Sequence, residues 1–213
     1  MKSKFLVLLA VLAVMGWAVV AFPSGAQATA VLTLFDGTIA DTKIITDGSA
    51  LDSNPADGVI TFIGTVGHNW TINVSTGLSD SPSGIDLNSI DRSLGAGFLT
   101  LTYTDVGFTL GSSATMMIGG TAGGTVDNTA IVGLTPIHTF TDLGPGAFSD
   151  TFTSAISPYL NALTEIVTIE HFAAGVTSFD ASLNTSAVPL PPSALLLGSG
   201  LLGLVGLRRF IRS

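Results

Sequence analysis

Between Val31 and Leu183 apolar residues recur at every second position in short runs, and glycines or Asp-Gly pairs close those runs. This alternation constrains the fold more than any other feature, because a period of two puts one face of each segment inside and the other in water. Trp70, Ile72 and Val74 alternate with Thr71, Asn73 and Ser75, and Leu99, Leu101 and Tyr103 alternate with Thr100, Thr102 and Thr104. Val59–Val66 is apolar on both faces, which predicts a central strand. Val31–Phe35, Met116–Ile118, Ala130–Val132, Glu165–Ile169 and Val176–Leu183 are further predicted strands. Asp36-Gly37, Asp47-Gly48, Asp57-Gly58, Gly67, Gly119-Gly120 and Gly123-Gly124 are the predicted turns. Short strands with frequent turns predict an all-β fold, an antiparallel β-sandwich with a jelly-roll-like arrangement. Only Ile156–Leu163 has a pattern that suits a helical turn.

The charge is as uneven as the hydropathy. All fifteen acids lie between Asp36 and Asp180, where Lys43 and Arg92 are the two bases, so this region carries a net −13. Such a surface repels nucleic acid and anionic membranes. It suits a soluble secreted domain. The chain has no cysteine, so disulfides, thiol nucleophiles and thiolate metal sites are excluded and stability must come from the core.

The ends are different in kind. Lys2 and Lys4 precede an apolar run from Phe5 to Phe22, Pro23-Ser24-Gly25 breaks it, and Ala26 and Ala28 supply small residues before a cut. This is the layout of a secretory signal peptide over residues 1–28, with an uncleaved membrane anchor as the alternative. At the other end Val188-Pro189-Leu190-Pro191 leads into the uncharged run Leu195–Leu207, followed by Arg208, Arg209 and Arg212. A helix from Ser193 to Leu207 spans about 22 Å at 1.5 Å per residue. Starting from Val188, with the arginines snorkelling, it spans a hydrocarbon core of about 30 Å only marginally. The basic end is expected on the cytoplasmic side.

These residues carry a resemblance. The Val188–Pro191 motif, the apolar run and the basic terminus are similar to the PEP-CTERM sorting signal of Gram-negative bacteria, here in a Val-Pro-Leu-Pro version with Leu190 where the named motif has Glu. The resemblance implies recognition and processing near Val188–Pro191 by exosortase, a membrane-embedded transpeptidase-like enzyme often found in bacteria that make exopolysaccharide. The middle of the chain also resembles the exported domains of such proteins, through Asp57-Gly-Val-Ile-Thr-Phe, Trp70-Thr-Ile-Asn-Val, Ile85-Asp-Leu and Ser178-Phe-Asp-Ala-Ser-Leu.

Catalytic motifs are not the chain's language. His68, His138 and His171 lack the spacing of a zincin helix, and the strand-to-helix elbow of serine hydrolases is missing. A triad assembled from distant residues is left open. Gly119-Gly-Thr-Ala-Gly-Gly lacks the Lys of a phosphate-binding loop. Gly198-Ser-Gly-Leu-Leu-Gly203 matches a dinucleotide fingerprint by letter but lies within the apolar run. His171, beside Glu170, is a weak metal candidate. Asp52, Asn54 and Asp57 are calcium candidates, with an Asp/Asn-rich turn as the competing reading. Trp70, Tyr103 and Tyr159 have the ring faces a sugar stacks on. The first two fall on apolar strand faces, where core packing is expected, and Tyr159 is the better exposed candidate.

The chain therefore divides into a signal peptide (1–28), an exported β-sandwich (29–180), a small polar linker (181–187) and a sorting signal with a transmembrane helix (188–213). The expected protein is not an enzyme and needs no cofactor or metal. It passes through the inner membrane to the cell surface or extracellular matrix, with exosortase, the secretion machinery, the membrane and exopolysaccharide as partners. A carbohydrate- or calcium-dependent binding module at the envelope is the alternative.

Overall fold

A computed structural model describes residues 30–78, 84–108, 111–157 and 162–186. The expected signal peptide with Ala26 and Ala28, Tyr159, and the expected sorting motif Val188–Pro191 with Arg208, Arg209 and Arg212 lie outside the described residues. Within the described residues no helix is long and apolar enough to cross a membrane.

The described chain is two antiparallel six-stranded sheets. In order the strands are β1 (Val31–Phe35), β2 (Lys43–Thr46), β3 (Thr61–Val66), β4 (Trp70–Leu78), β5 (Gly84–Ser93), β6 (Gly97–Val106), β7 (Ser113–Ala122), β8 (Thr125–Val132), β9 (Thr135–Leu143), β10 (Gly146–Ala155), β11 (Ala162–His171) and β12 (Gly175–Ser186). A single 3-10 turn at Ile39–Asp41 links β1 and β2. The first sheet runs β2-β1-β6-β11-β8-β9 and the second β10-β7-β12-β5-β4-β3. Strands β5–β12 alone give the orders β6-β11-β8-β9 and β10-β7-β12-β5. That is an eight-stranded jelly roll, and the expected sandwich is therefore present. The hairpins β1-β2 and β3-β4 widen its two sheets by pairing with β6 and β5.

Four connections, β5 to β6, β7 to β8, β9 to β10 and β11 to β12, cross between the sheets at one pole. Val31 pairs with Thr104 and Asn184 with Gly84, so Ala30 and Ser186 leave at the opposite pole. The two ends of the described chain thus lie at the same end of the sandwich.

The core follows from the alternation. Trp70, Ile72 and Val74 of β4 and Leu99, Leu101 and Tyr103 of β6 are buried between the sheets. They pack with Leu32, Leu34, Ile85, Leu87, Met116, Val167, Ile169, Phe179 and Leu183. Burying each large apolar side chain contributes about 1.5–3 kcal/mol.

Four expectations need correction. Val59–Val66 is an edge rather than a central strand: β3 starts at Thr61, and Ile63 is 68% exposed. Gly119 and Gly120 lie inside β7 rather than in a turn. The helical turn at Ile156–Leu163 does not form where it is described, because Ala162 and Leu163 open β11 and Ile156 and Ser157 have no regular structure. The linker assigned to 181–187 is strand through Ser186. Ala181, Leu183 and Thr185 face the core in alternation with Ser182, Asn184 and Ser186, a period of two hidden by small residues.

A candidate binding groove on the second sheet

The groove is made from the outward positions of strands whose inward positions build the core. In β4 the buried Ile72, Val74 and Thr76 leave Asn73 and Ser75 facing out. In β5 the buried Leu87, Ser89 and Asp91 leave Asn88 and Ile90 outside, and in β12 the buried Thr177, Phe179 and Ala181 leave Ser178 and Asp180. Register sets them side by side. Ser75, Asn88, Asp180, Gly119 and Ser149 form one row across β4, β5, β12, β7 and β10. Asn73, Ile90, Ser178 and Thr121 form the next. Over these rows lies a groove of about 430 Å³, lined by side-chain amides, hydroxyls, the Asp180 carboxylate, the half-exposed Ile90, and the backbone of Gly119 and Gly120.

The electrostatics of this face are anionic. Asp86, one row beyond Asn88 on β5, accepts a hydrogen bond from Asn88 Nδ2 at 2.6 Å. Partial burial and then the charge of Asp180 push the Asp86 carboxyl up to about 6, against the opposing bond from Asn88. Arg92 is the base on this sheet, two rows from Asn88; Lys43 sits on β2 of the other sheet.

The titratable groups inside the sandwich are sealed from this groove's solvent. His171 Nδ1 lies 2.6 Å from Ser93 Oγ and Nε2 lies 2.7 Å from Thr177 Oγ1, while the ring packs 5.0 Å from that of Trp70. Both ring nitrogens are used, and burial lowers the pKa, favouring the neutral imidazole. This Ser-His pair is about 1% exposed at both residues, so a substrate has no path to it. Asp91 accepts a bond from Ser89 Oγ at 2.7 Å, and burial pushes it up to about 7. Glu165 accepts from Asn128 Nδ2 at 3.1 Å, and burial, augmented by the charges of Asp86 and Asp180, pushes it up to about 8. Asp91 Oδ2, Glu165 Oε2 and Asn128 Oδ1 are buried without a hydrogen-bond partner.

The residues singled out from sequence fall elsewhere. Trp70 and Tyr103 are core residues, 2% and 0% exposed, so neither is a sugar-stacking platform. Asp52 Oδ1 accepts from the backbone N–H groups of Asn54 and Thr61, both at 2.9 Å, and Oδ2 from that of Gly48 at 3.1 Å. Partial burial raises its pKa, but these three bonds outweigh it and hold the carboxyl below its usual value. Asn54 Oδ1 accepts from the N–H of Ala56, and Asp57 is exposed in the turn. The segment is an Asp/Asn-capped loop, and among the described residues no group of three or more His, Asp or Glu side chains is placed to hold a metal. His68 lies exposed in the β3-β4 turn, and His138 stacks on Phe152 at 4.0 Å.

The groove residues themselves were not singled out, although the words Trp70-Thr-Ile-Asn-Val, Ile85-Asp-Leu and Ser178-Phe-Asp-Ala contain Asn73, Asp86, Ser178 and Asp180. What sequence does not carry is that β12 inserts between β5 and β7.

No family model matches the chain, and no curated protein matches it. Partial overlaps with solved structures exist. One is TmCBM61 in complex with beta-1,4-galactotriose, at 10% identity and TM-score 0.37, covering 55% of this chain and 88% of that one. Another is the PA14 sugar-binding domain from RTX adhesin, at 12% identity and TM-score 0.32, covering 41% of this chain and 46% of that one. A third is the enzymatically active domain of Bacteriophage CBA120 tailspike protein 4, at 9% identity and TM-score 0.36, covering 56% of this chain and 20% of that one. At these values the overlaps carry no argument about activity, and function is argued from the groove.

Proposed function

We propose that this chain is a glycan-binding module of the cell envelope, and that the groove on the second sheet is its binding site. The observation that carries the reading is the lining: Asn73, Asn88, Asp180, Ser75 and Ser178 converge on one depression. Amides and carboxylates each offer two directed hydrogen-bonding atoms, the geometry that vicinal hydroxyls of a sugar match. Ile90 supplies apolar surface for a C–H face. Ser89, at the floor of the groove, does bond the Asp91 carboxylate, but both residues are buried beneath the strand, and the Ser93-His171 pair is locked inside the core. Binding rather than catalysis is the chemistry such a surface supports.

The test is retention of the full chain, in mild detergent, on an array of polysaccharides and oligosaccharides, beside N88A and D180A. Retention of the wild type with loss in both variants is the expected result. Equal retention of the variants would place the binding elsewhere and sink the assignment of the groove.

The proposed address rests on the ends of the sequence: signal-peptide export, sorting through Val188–Pro191 and the helix after it, and delivery by exosortase to the surface or matrix. A mature chain starting near Thr29, losing Arg208 and Arg209 only in cells that have exosortase, is the mass-spectrometric outcome this requires. A chain that keeps both arginines in both strains removes exosortase from the account and leaves a membrane-anchored binding module.

A further inference from the structure

Two adjacent glycines in the middle of β7 have different reasons to be there. A Cβ on Gly120 would sit 2.1 Å from the carbonyl oxygen of Ser178 and 2.9 Å from the Cα of Phe179, so backbone packing against β12 forbids a side chain. A Cβ on Gly119 would meet the Phe148 carbonyl oxygen and the Ser149 Cβ at 3.7 Å, an ordinary contact. The φ of Gly119 is not in the left-handed region either. Neither packing nor backbone conformation requires glycine at 119, yet glycine weakens a strand interior because it adds chain entropy and packs nothing. A strand glycine also marks places where a ligand approaches the backbone closely, and Gly119, unlike the equally unhindered Gly77 of β4, lies in the groove lining.

Gly119 is placed for that. It lies in the same row as Asn88 and Asp180, faces outward, and lines the groove. The groove crosses β4, β5, β12 and β7, about 14 Å at the usual strand spacing of about 4.8 Å, long enough for a short run of sugar rings. Its charge restricts what enters. Asp180 is in the lining and Asp86 is beside it. Arg92, one row past Ile90 on the same face, is the base on the sheet, so the two carboxylates outnumber it and a polyanion would meet a net negative field.

We infer that Gly119 is the seat of the ligand: an uncharged glycan lies across the four strands with one ring on the side-chain-free backbone at Gly119, between Asp180 and Ser149. This rests on the glycan-binding reading and adds to it a specificity-determining position and a charge class.

The experiment measures retention of full-length wild type, G119V, G119A and N88A on immobilised neutral glucans, xylan, galactan and chitin oligomers, and on alginate as a polyuronate. Valine suits a strand. G119V should therefore unfold at the wild-type midpoint while its binding to the neutral ligand falls by at least about ten-fold, the cost of occluding a shaped subsite. G119A adds one methyl and serves as the second variant if valine perturbs the sheet; its binding should fall less than that of G119V. Alginate should not retain the protein. Wild-type affinity in G119V, or retention on alginate equal to that on the neutral glycan, overturns the inference. If N88A loses binding and G119V does not, the seat is wrong and the groove stands. If the wild type binds no glycan in the panel, the inference and the functional reading fall together.

Discussion

The two outward faces of the sandwich use polar residues differently. On the first sheet they are largely threonines facing one another: Thr100 with Thr168 at 3.1 Å, Thr104 with Thr164 at 2.9 Å, and Thr129 with Thr139 at 3.0 Å. Short β-branched hydroxyls that bond across strands make a face that satisfies itself, and such pairs belong to sheet stability. On the second sheet such pairs stand toward the flanks, Thr115 with Thr153 at 2.9 Å and Thr61 with Ser75 at 3.2 Å, while its middle holds Asn73, Asn88, Asp86 and Asp180, with glycine at 119. Longer amides and carboxylates around a bare strand make a concave face turned toward solvent. The same jelly roll therefore carries one face of self-paired hydroxyls and one face with the groove to which the proposed reading assigns a ligand.

The largest expected effect breaks the contrast between neighbouring glycines. G120V drives a side chain into the β12 backbone, and forced overpacking of that severity should cost about 3 kcal/mol or more in chemical denaturation. G119V should cost less than about 1 kcal/mol. Similar losses in both would erase the distinction on which the ligand seat depends.

Next in size is the interior. Asp91 and Glu165 have native pKa values raised to about 7 and about 8 by burial. The native state therefore binds more protons than the unfolded chain above the unfolded values near 4. Their contribution is fully present below about pH 4 and is lost as pH rises through the native values. Stability should decline between about pH 4 and pH 8. E165Q, which keeps an acceptor for Asn128, should flatten that decline by on the order of a few kcal/mol at alkaline pH. A denaturation midpoint that is flat with pH in the wild type would contradict the burial of these carboxyls.

Smaller effects sharpen the comparison of faces. D180N removes one charge from the groove, so the Asp86 carboxyl should titrate below about 6 by carbon-detected NMR. It should stay above the ordinary value, because burial is the first cause of its shift. An unchanged Asp86 titration would mean the two carboxylates do not sense each other. T168A on the other face should cost no more than about 1 kcal/mol and leave glycan retention untouched.

The legible and illegible parts of the sequence separate along physical lines. β4 and β6 were readable because Trp70–Val74 and Leu99–Tyr103 alternate cleanly between apolar and polar. β5 was not, because its inward positions Ser89, Asp91 and Ser93 are themselves polar. β9 and β10 were missed because they are edge strands, largely exposed on both faces, where burial imposes no period. Ile63 misled for the mirror reason, an apolar side chain on the solvent side of an edge. The groove was the least legible, since Asn88, Gly119 and Asp180 stand far apart in the chain and meet only through the jelly-roll order of β5, β12 and β7. Gly119-Gly120 even reads as a turn until the register shows which backbone passes beneath Gly120.

The central claim is that ligand meets this protein on the outward face of β4, β5, β12 and β7. Amide chemical-shift mapping of the full chain, titrated with the best-retained neutral oligosaccharide, tests it most directly. The account predicts perturbations concentrated at Asn73, Asn88, Gly119, Ser178 and Asp180, with the threonine face silent. Perturbations centred on the threonine face, or on the connections between the sheets around Leu94 and Phe172, would contradict it.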